Sequence, residues 1–199
     1  MVGGHPPSAD GVRVGVLALQ GDYAEHQRML GRIGCASRQV RKGSELEGLR
    51  ALILPGGEST TMLKFMDEER LMEPLRAFHA RGGALYGTCA GAILLAREAT
   101  SPRQASLGLI DIDVERNGYG RQIHSHESDE ACPALGETRL PMIFIRAPVI
   151  SRAGPAVEVL AEHRGHPVLV RQGRVLVSTF HPELSDDVRV HRYFLEKSS

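Results

Sequence analysis

Leu85-Tyr86-Gly87-Thr88-Cys89-Ala90-Gly91 decides the architecture, because an apolar strand-like run passes directly into a helical run through Gly-x-Cys-x-Gly. Glycines on either side permit a tight turn, and such a turn lifts its apex residue above the carboxyl edge of a sheet. The apex here is Cys89. A thiolate at a helix N-terminus is favoured by the positive end of the helix dipole. The backbone N–H of Ala90 would face the oxygen of an attacked carbonyl. The competing reading makes Cys89 a small buried hydrophobe beside a glycine turn, the commonest fate of a lone cysteine. The elbow pattern favours a nucleophile.

Upstream, residues 12–19 form a β-rich apolar run that Gln20-Gly21-Asp22 breaks before a predicted helix over 23–33. An extended run follows at 37–40. Residues 51–54 are a continuous apolar segment stopping at Pro55-Gly56-Gly57, after which Ser59 and Thr60 are expected to cap a helix. Another helix, 71–80, ends at Gly82-Gly83, and residues 90–98 are predicted to be helical after Cys89. Strands that alternate with helices and are apolar on both faces imply parallel pairing with right-handed crossovers. The expectation is a three-layer α/β fold of flavodoxin-like type, with a mostly parallel central sheet and helices on both faces.

Beyond residue 101 the pattern changes to short strands at 109–115, 122–125, 142–145, 157–161, 167–170 and 175–180, then a helix at 187–195. These strands are expected to extend the one central sheet. No repeat, low-complexity tract or linker interrupts the chain, so 11–199 reads as a single domain. Residues 1–10 carry Gly3, Gly4, Pro6 and Pro7 without a secretory pattern, and read as a disordered N-terminal extension.

Bulk properties exclude several classes. The 199 residues suffice for a sizeable core, and 42% hydrophobic with 24% charged residues is ordinary globular usage. Lys and Arg (24) balance Asp and Glu (24), so no basic surface points to nucleic acid or an anionic membrane. No apolar stretch approaches the roughly 20 residues of a spanning helix. Cys35, Cys89 and Cys132 are odd in number and widely spaced, which suits a reducing compartment, by default the cytoplasm.

A cysteine nucleophile needs a base oriented by a third group. Thr179-Phe180-His181-Pro182-Glu183 supplies one. His181 follows the run 175–180 and should emerge at the carboxyl edge of the sheet beside Cys89. Glu183 would project to the same side if the chain stays extended through Pro182, orienting one imidazole nitrogen while the other faces the thiol. A structural His-Pro turn is the alternative, outweighed by the presence of Cys89. Leu52-Ile53-Leu54-Pro55-Gly56-Gly57-Glu58-Ser59-Thr60-Thr61 is the third piece: its glycines let backbone approach a substrate, and Gly57 N–H with Ala90 N–H would form an oxyanion hole. No Gly-Lys-Ser/Thr follows, so a nucleotide site is disfavoured.

With these motifs in chain order, the sequence resembles the class I (triad) glutamine amidotransferases, and among them the glutaminase subunits of pyridoxal 5′-phosphate synthase. The narrower likeness rests on Gly15-Val16-Leu17-Ala18-Leu19-Gln20-Gly21, Glu25-His26, Leu54 to Met62, Gly87 to Gly91, Val114-Glu115-Arg116-Asn117, Gly120-Arg121-Gln122, Phe144-Ile145-Arg146-Ala147-Pro148 and Phe180 to Leu184. The resemblance implies Cys89 as nucleophile, His181 as general base and acid, and Glu183 as orienter. It implies glutamine contacts from Gly57, Glu58, Ser59, Arg116, Ile145 and Arg146, and a partner-coupling role for Gln20. A carboxylate such as Glu58 suits the substrate ammonium, and Arg116 or Arg146 its carboxylate, with the division between the two arginines left open. It further implies no metal and no cofactor, and a hetero-oligomer with a pyridoxal 5′-phosphate synthase barrel subunit that consumes the ammonia. Alternatives are the same chemistry serving a histidine- or purine-pathway synthase, a cysteine hydrolase of similar fold, or a non-catalytic module.

Two features stand outside the resemblance. The N-terminal extension has no assigned role. His124 and His126 suggest a metal with Cys132, His163 or His166, but the spacing matches no typical zinc site, and solvated loop histidines are the preferred reading.

Overall fold

The computed structural model describes residues 13–117 and 125–198. Strands β1 (Val14–Leu17), β2 (Ser37–Val40), β3 (Ala51–Leu54), β4 (Ala84–Thr88), β10 (Glu158–His163), β11 (His166–Gln172) and β12 (Val175–Ser178) form one sheet. Its order is β10-β11-β12-β4-β3-β1-β2. The five strands from β12 to β2 are parallel, and β11 and β10 add antiparallel strands to one edge. Every residue of β1, β3, β4 and β12 is buried. Strands covered on both faces are read as unbroken apolar runs for this reason.

Side chains alternate across the sheet. Leu52, Leu54, Leu85, Val175 and Val177 pack on one side with Met62 and Met66 of α2 (Ser59–Glu68), Leu75 and Phe78 of α3 (Met72–Ala80) and Leu94 of α4 (Ala90–Leu95). Ala51, Ile53, Tyr86 and Leu176 face the other side, against Leu30 of α1 (Tyr23–Arg32) and Val190 and Phe194 of α5 (Arg189–Lys197). The three-layer α/β expectation therefore holds. Among the described residues no helix is long and apolar enough to cross a membrane.

Three expectations need correction. The helix after Cys89 does not reach residue 98: it ends at Leu95, and β5 (Ala96–Thr100) follows. The loop 107–109 takes the last helical carbonyls, with Leu107 N–H on Leu94 O (2.7 Å) and Leu109 N–H on Leu95 O (2.9 Å), so the next turn has no acceptors to build on. The later strands are not all additions to the central sheet. β5, β6 (Ile110–Glu115) and β9 (Val149–Ala153) form a separate three-stranded sheet, and β7 (Ser125–Glu130) pairs with β8 (Leu140–Ile145) alone. In β6 and β8 alternate residues are buried, so each covers one face only, which suits small sheets lying against the core rather than within it. Finally, α2 is capped not by Ser59 or Thr60 but by Glu58, whose carboxylate accepts from Thr60 N–H (3.3 Å) and Thr61 N–H (2.8 Å). The expected extension 1–10, His124, the Gly120-Arg121-Gln122 segment and most of the strand expected at 122–125 lie outside the described residues.

Candidate active site

β4 delivers Cys89 to the carboxyl edge of the sheet at φ 47° and ψ −99°. A non-glycine residue at such a positive φ is strained and is held only by its surroundings. The clamp is visible. A Cβ on Gly91 would lie 2.1 Å from Leu54 O, and one on Gly87 2.6 Å from the Gly91 carbonyl, so both positions exclude any side chain. Cys89 N–H donates to Ser178 O at 2.9 Å, tying the elbow to β12, and Sγ lies 3.9 Å from Ile145 O.

β12 pairs with β4 so that Ser178 stands opposite Thr88. Three residues on, His181 N–H donates to Ile143 O at 2.8 Å, and the imidazole is buried. Its Nδ1 is 2.7 Å from Glu183 Oε1. The chain between them is a single 3-10 turn over Pro182–Leu184, not the expected extension, yet it brings the carboxylate back onto the ring. Cys89 lines the same pocket as His181 and acts on its protonation, while the buried His181 Nε2 makes no hydrogen bond of its own.

Burial alone would drive the proton off His181, but hydrogen bonds and Coulombic attraction from Cys89 and Glu183 outweigh it and raise its pKa to about 11. Glu183 is pushed up, because burial exceeds the opposing pull of His181. Gly56 leaves room for the imidazole: a Cβ there would lie 2.4 Å from His181 Cε1.

A pocket of about 360 Å³ opens over this edge. It brings together the expected Cys89, His181, Gln20, Gly57, Glu58, Ser59, Arg116, Ile145 and Arg146. Ala90 is buried beneath the elbow and Glu183 behind the imidazole, so neither lines it. Gln20 Oε1 accepts the Glu58 N–H at 2.9 Å, and Gly57 sits against the same side chain at φ 149°. Although partial burial raises the Glu58 carboxyl, donors on Thr61 and Thr60 more than compensate and hold it below its ordinary range. Arg116 is committed to Thr60 Oγ1 (2.7 Å) and Pro102 O (3.3 Å). Exposed Arg146, at φ 44°, makes no hydrogen bond or ion pair among the described residues.

Sequence reasoning missed Gly21, Asp22, Ile93, Asn117 and Leu184 in the lining. Asp22 Oδ2 lies 3.5 Å from His181 Nδ1, and the turn residues Gln20-Gly21-Asp22 carried no sign of that beyond breaking a strand. Asp22, His181 and Glu183 are also the one set among the described residues whose ligand atoms lie close enough for a metal, but His181 Nδ1 is already bonded to Glu183. His126 and His163 meet at 3.0 Å between Nε2 atoms, with Glu130 Oε1 2.7 Å from His163 Nδ1 and Phe144 stacked beside both rings. Cys132 and His166 join no such metal group.

Behind the carboxylate lies a second missed group. His26 of α1 is fully buried; its Nε2 is 3.1 Å from Thr88 Oγ1 and 3.7 Å from Glu183 Oε2. Its Nδ1 is 2.9 Å from Nε2 of His191, which is also fully buried, on α5. Burial first, then the charges of His191 and His181, hold the His26 pKa well below that of an ordinary histidine. Burial depresses His191 to about 4.

The profile of the SNO glutamine amidotransferase family matches residues 16–199. "Pyridoxal 5′-phosphate synthase subunit PdxT" of Thermus thermophilus is 56% identical over 185 residues, covering 92% of this chain and 96% of the relative. The protein of the same name from Pelotomaculum thermopropionicum is 54% identical over 186 residues, covering 94% and 95%. A solved structure described as "Crystal structure of glutamine amidotransferase" superposes with a TM-score of 0.88 at 53% identity, covering 93% of this chain and 98% of that one. The chain belongs to the SNO glutamine amidotransferase family.

Proposed function

We propose that the chain is the glutaminase subunit of a pyridoxal 5′-phosphate synthase, hydrolysing L-glutamine to L-glutamate and ammonia. The observation that carries this is the meeting of Cys89, His181 and Glu183 at one sheet edge beneath the pocket. Relatives at 54–56% identity named as subunits of that synthase support the pathway. In this reading the Cys89 thiolate attacks the side-chain carboxamide, and Ala90 N–H and Gly57 N–H hold the tetrahedral oxyanion. His181 protonates the departing ammonia, leaving a glutamyl thioester. The same imidazole then activates water, and glutamate leaves.

The unpaired fork of Arg146 suits the substrate α-carboxylate, while Arg116 orders Thr60 and, through it, the Glu58 turn. Glu58 and Ser59 face the α-ammonium end, and Ile145 packs against the substrate from β8. Gln20, holding the Glu58 N–H, is the link by which a docked partner would reset the oxyanion donors.

Ammonia released into water would be protonated and lost as a nucleophile. A sealed route into a barrel-type synthase subunit, in a hetero-oligomer in the cytoplasm, completes the proposal, with 11–199 as the single catalytic domain and 1–10 as an extension. Glutamate release by wild type and Cys89→Ala, each with and without the synthase, tests it. The expected result is partner-stimulated activity in wild type and a loss of about 10³-fold or more in the variant, the scale of removing a nucleophile. Full activity of the pure chain, unchanged by the synthase, would refute the coupling. Stimulation by a histidine- or purine-pathway synthase instead would reassign the partner.

A further inference from the structure

Glu183 Oε1 is occupied by His181, whereas Glu183 Oε2 is buried and has no hydrogen-bond partner within normal distance. The group that faces Oε2 is the Nε2 of His26, at 3.7 Å. Burial of a carboxylate oxygen without a donor is costly, so the protonation of that nitrogen matters.

The surrounding bonds select the tautomer. If His26 carried its proton on Nδ1, the 2.9 Å contact would make His191 Nε2 the acceptor. His191 would then hold its own proton on Nδ1, which is buried and has no partner. Two costs follow: an orphaned His191 N–H, and a His26 lone pair that the Thr88 hydroxyl could satisfy but that leaves no N–H facing the carboxylate. With the proton on Nε2 of both rings, His191 donates to His26 Nδ1, and His26 Nε2–H lies between Thr88 Oγ1 and Glu183 Oε2. Only a lone pair on His191 Nδ1 is then left unpaired, which is the cheaper defect. The depressed proton affinities of both rings agree with neutral imidazoles.

We propose that His26 is a positioning residue for the glutaminase reaction: held by His191 and Thr88, its Nε2–H fixes the outer oxygen of Glu183 and so aims His181 at Cys89. The relay reaches from α5 through α1 to the nucleophile. Thr88 immediately precedes Cys89 on β4, so the same donor also registers the elbow against the base. The inference rests on the proposed glutaminase function.

The test uses the chain assembled with its synthase, comparing His26→Leu and His26→Gln with wild type and with Cys89→Ala. His26→Leu is expected to lower kcat by about tenfold to hundredfold with KM within about twofold, the scale of losing an outer-shell orienting partner. The acid limb of its kcat profile should shift as Glu183 loses the N–H dipole that faces its outer oxygen at 3.7 Å. His26→Gln, whose carboxamide can donate from the same place, should recover most of the rate. ¹⁵N-histidine NMR of the wild-type complex should give Nε2–H for both His26 and His191. Wild-type kcat in both variants, equal losses in both, or an Nδ1–H signal for His26 would each overturn the proposal. If His26→Leu fails to fold, as judged by its melting curve, the glutamine variant and the wild-type NMR decide alone. Glutamate release by Cys89→Ala would instead refute the glutaminase reading itself, while the NMR result would stand apart from it.

Discussion

His181 and His191 are both buried imidazoles at opposite ends of one polar chain, yet their proton affinities diverge to about 11 and about 4. Burial pushes both down. His181 has the carboxylate of Glu183 at 2.7 Å and Cys89 beside it, whereas the 2.9 Å neighbour of His191 is another neutral histidine. Counter-charge within hydrogen-bonding reach therefore overrides desolvation, and its absence leaves desolvation in command. One side of Glu183 is thus suited to hold and move a proton. The other side keeps a fixed tautomer, which is what a scaffold for that carboxylate requires.

The contrast can be broken most severely at its pivot. Glu183→Gln removes the counter-charge from His181, and kcat for glutamate release with the synthase present should fall by about 10³–10⁴, the scale seen when an orienting carboxylate is amidated. An unaltered kcat would mean that Cys89 alone sustains the imidazolium. Stability against pH sharpens the contrast next, because the two flanks act with opposite sign. His191, with a folded value of about 4 below the ordinary 6.5, contributes stability that is present above 6.5 and lost as pH falls toward 4. That loss is roughly 3 kcal/mol when complete. His181, raised to about 11, contributes stability that is present below 6.5 and lost as pH rises toward 11. Urea midpoints should therefore fall away on both sides of neutrality, and His191→Phe should lessen the acid-side loss, with His26 keeping its own share, and leave the alkaline side alone. The smallest effect belongs outside the pair: Glu58→Ala removes the α2 cap, costs roughly 1 kcal/mol in urea unfolding, and alters the pH profile only at its acid end, below the ordinary carboxylate range.

How much of this was legible depended on whether a signal was local. β1, β3, β4 and β12 are apolar runs because both their faces are covered, and Cys89, His181 and Glu183 sit in short motifs at strand ends, so both could be read directly. β5 could not, since Ala96-Arg97-Glu98-Ala99-Thr100 continues a helical composition and becomes a strand only because loop 107–109 captures the preceding carbonyls. The partition of the later strands into small sheets depends on pairing, which no single strand encodes. His26 and His191 were invisible as a pair: 165 residues separate them, and each alone is an ordinary histidine on the apolar face of an amphipathic helix. Glu58 looked like a ligand for an ammonium, and its first use is to close the end of a helix.

The Ser178–Thr88 register described for β12 and β4 ties chemistry to cooperativity. A slip of one residue would carry His181 roughly 3.3 Å along the strand direction and turn its neighbours to the opposite face. No partly frayed form of the sheet can therefore remain a weak catalyst. Enzymatic assay becomes a reporter of the innermost ladder, and turnover in denaturant should vanish no later than global unfolding does.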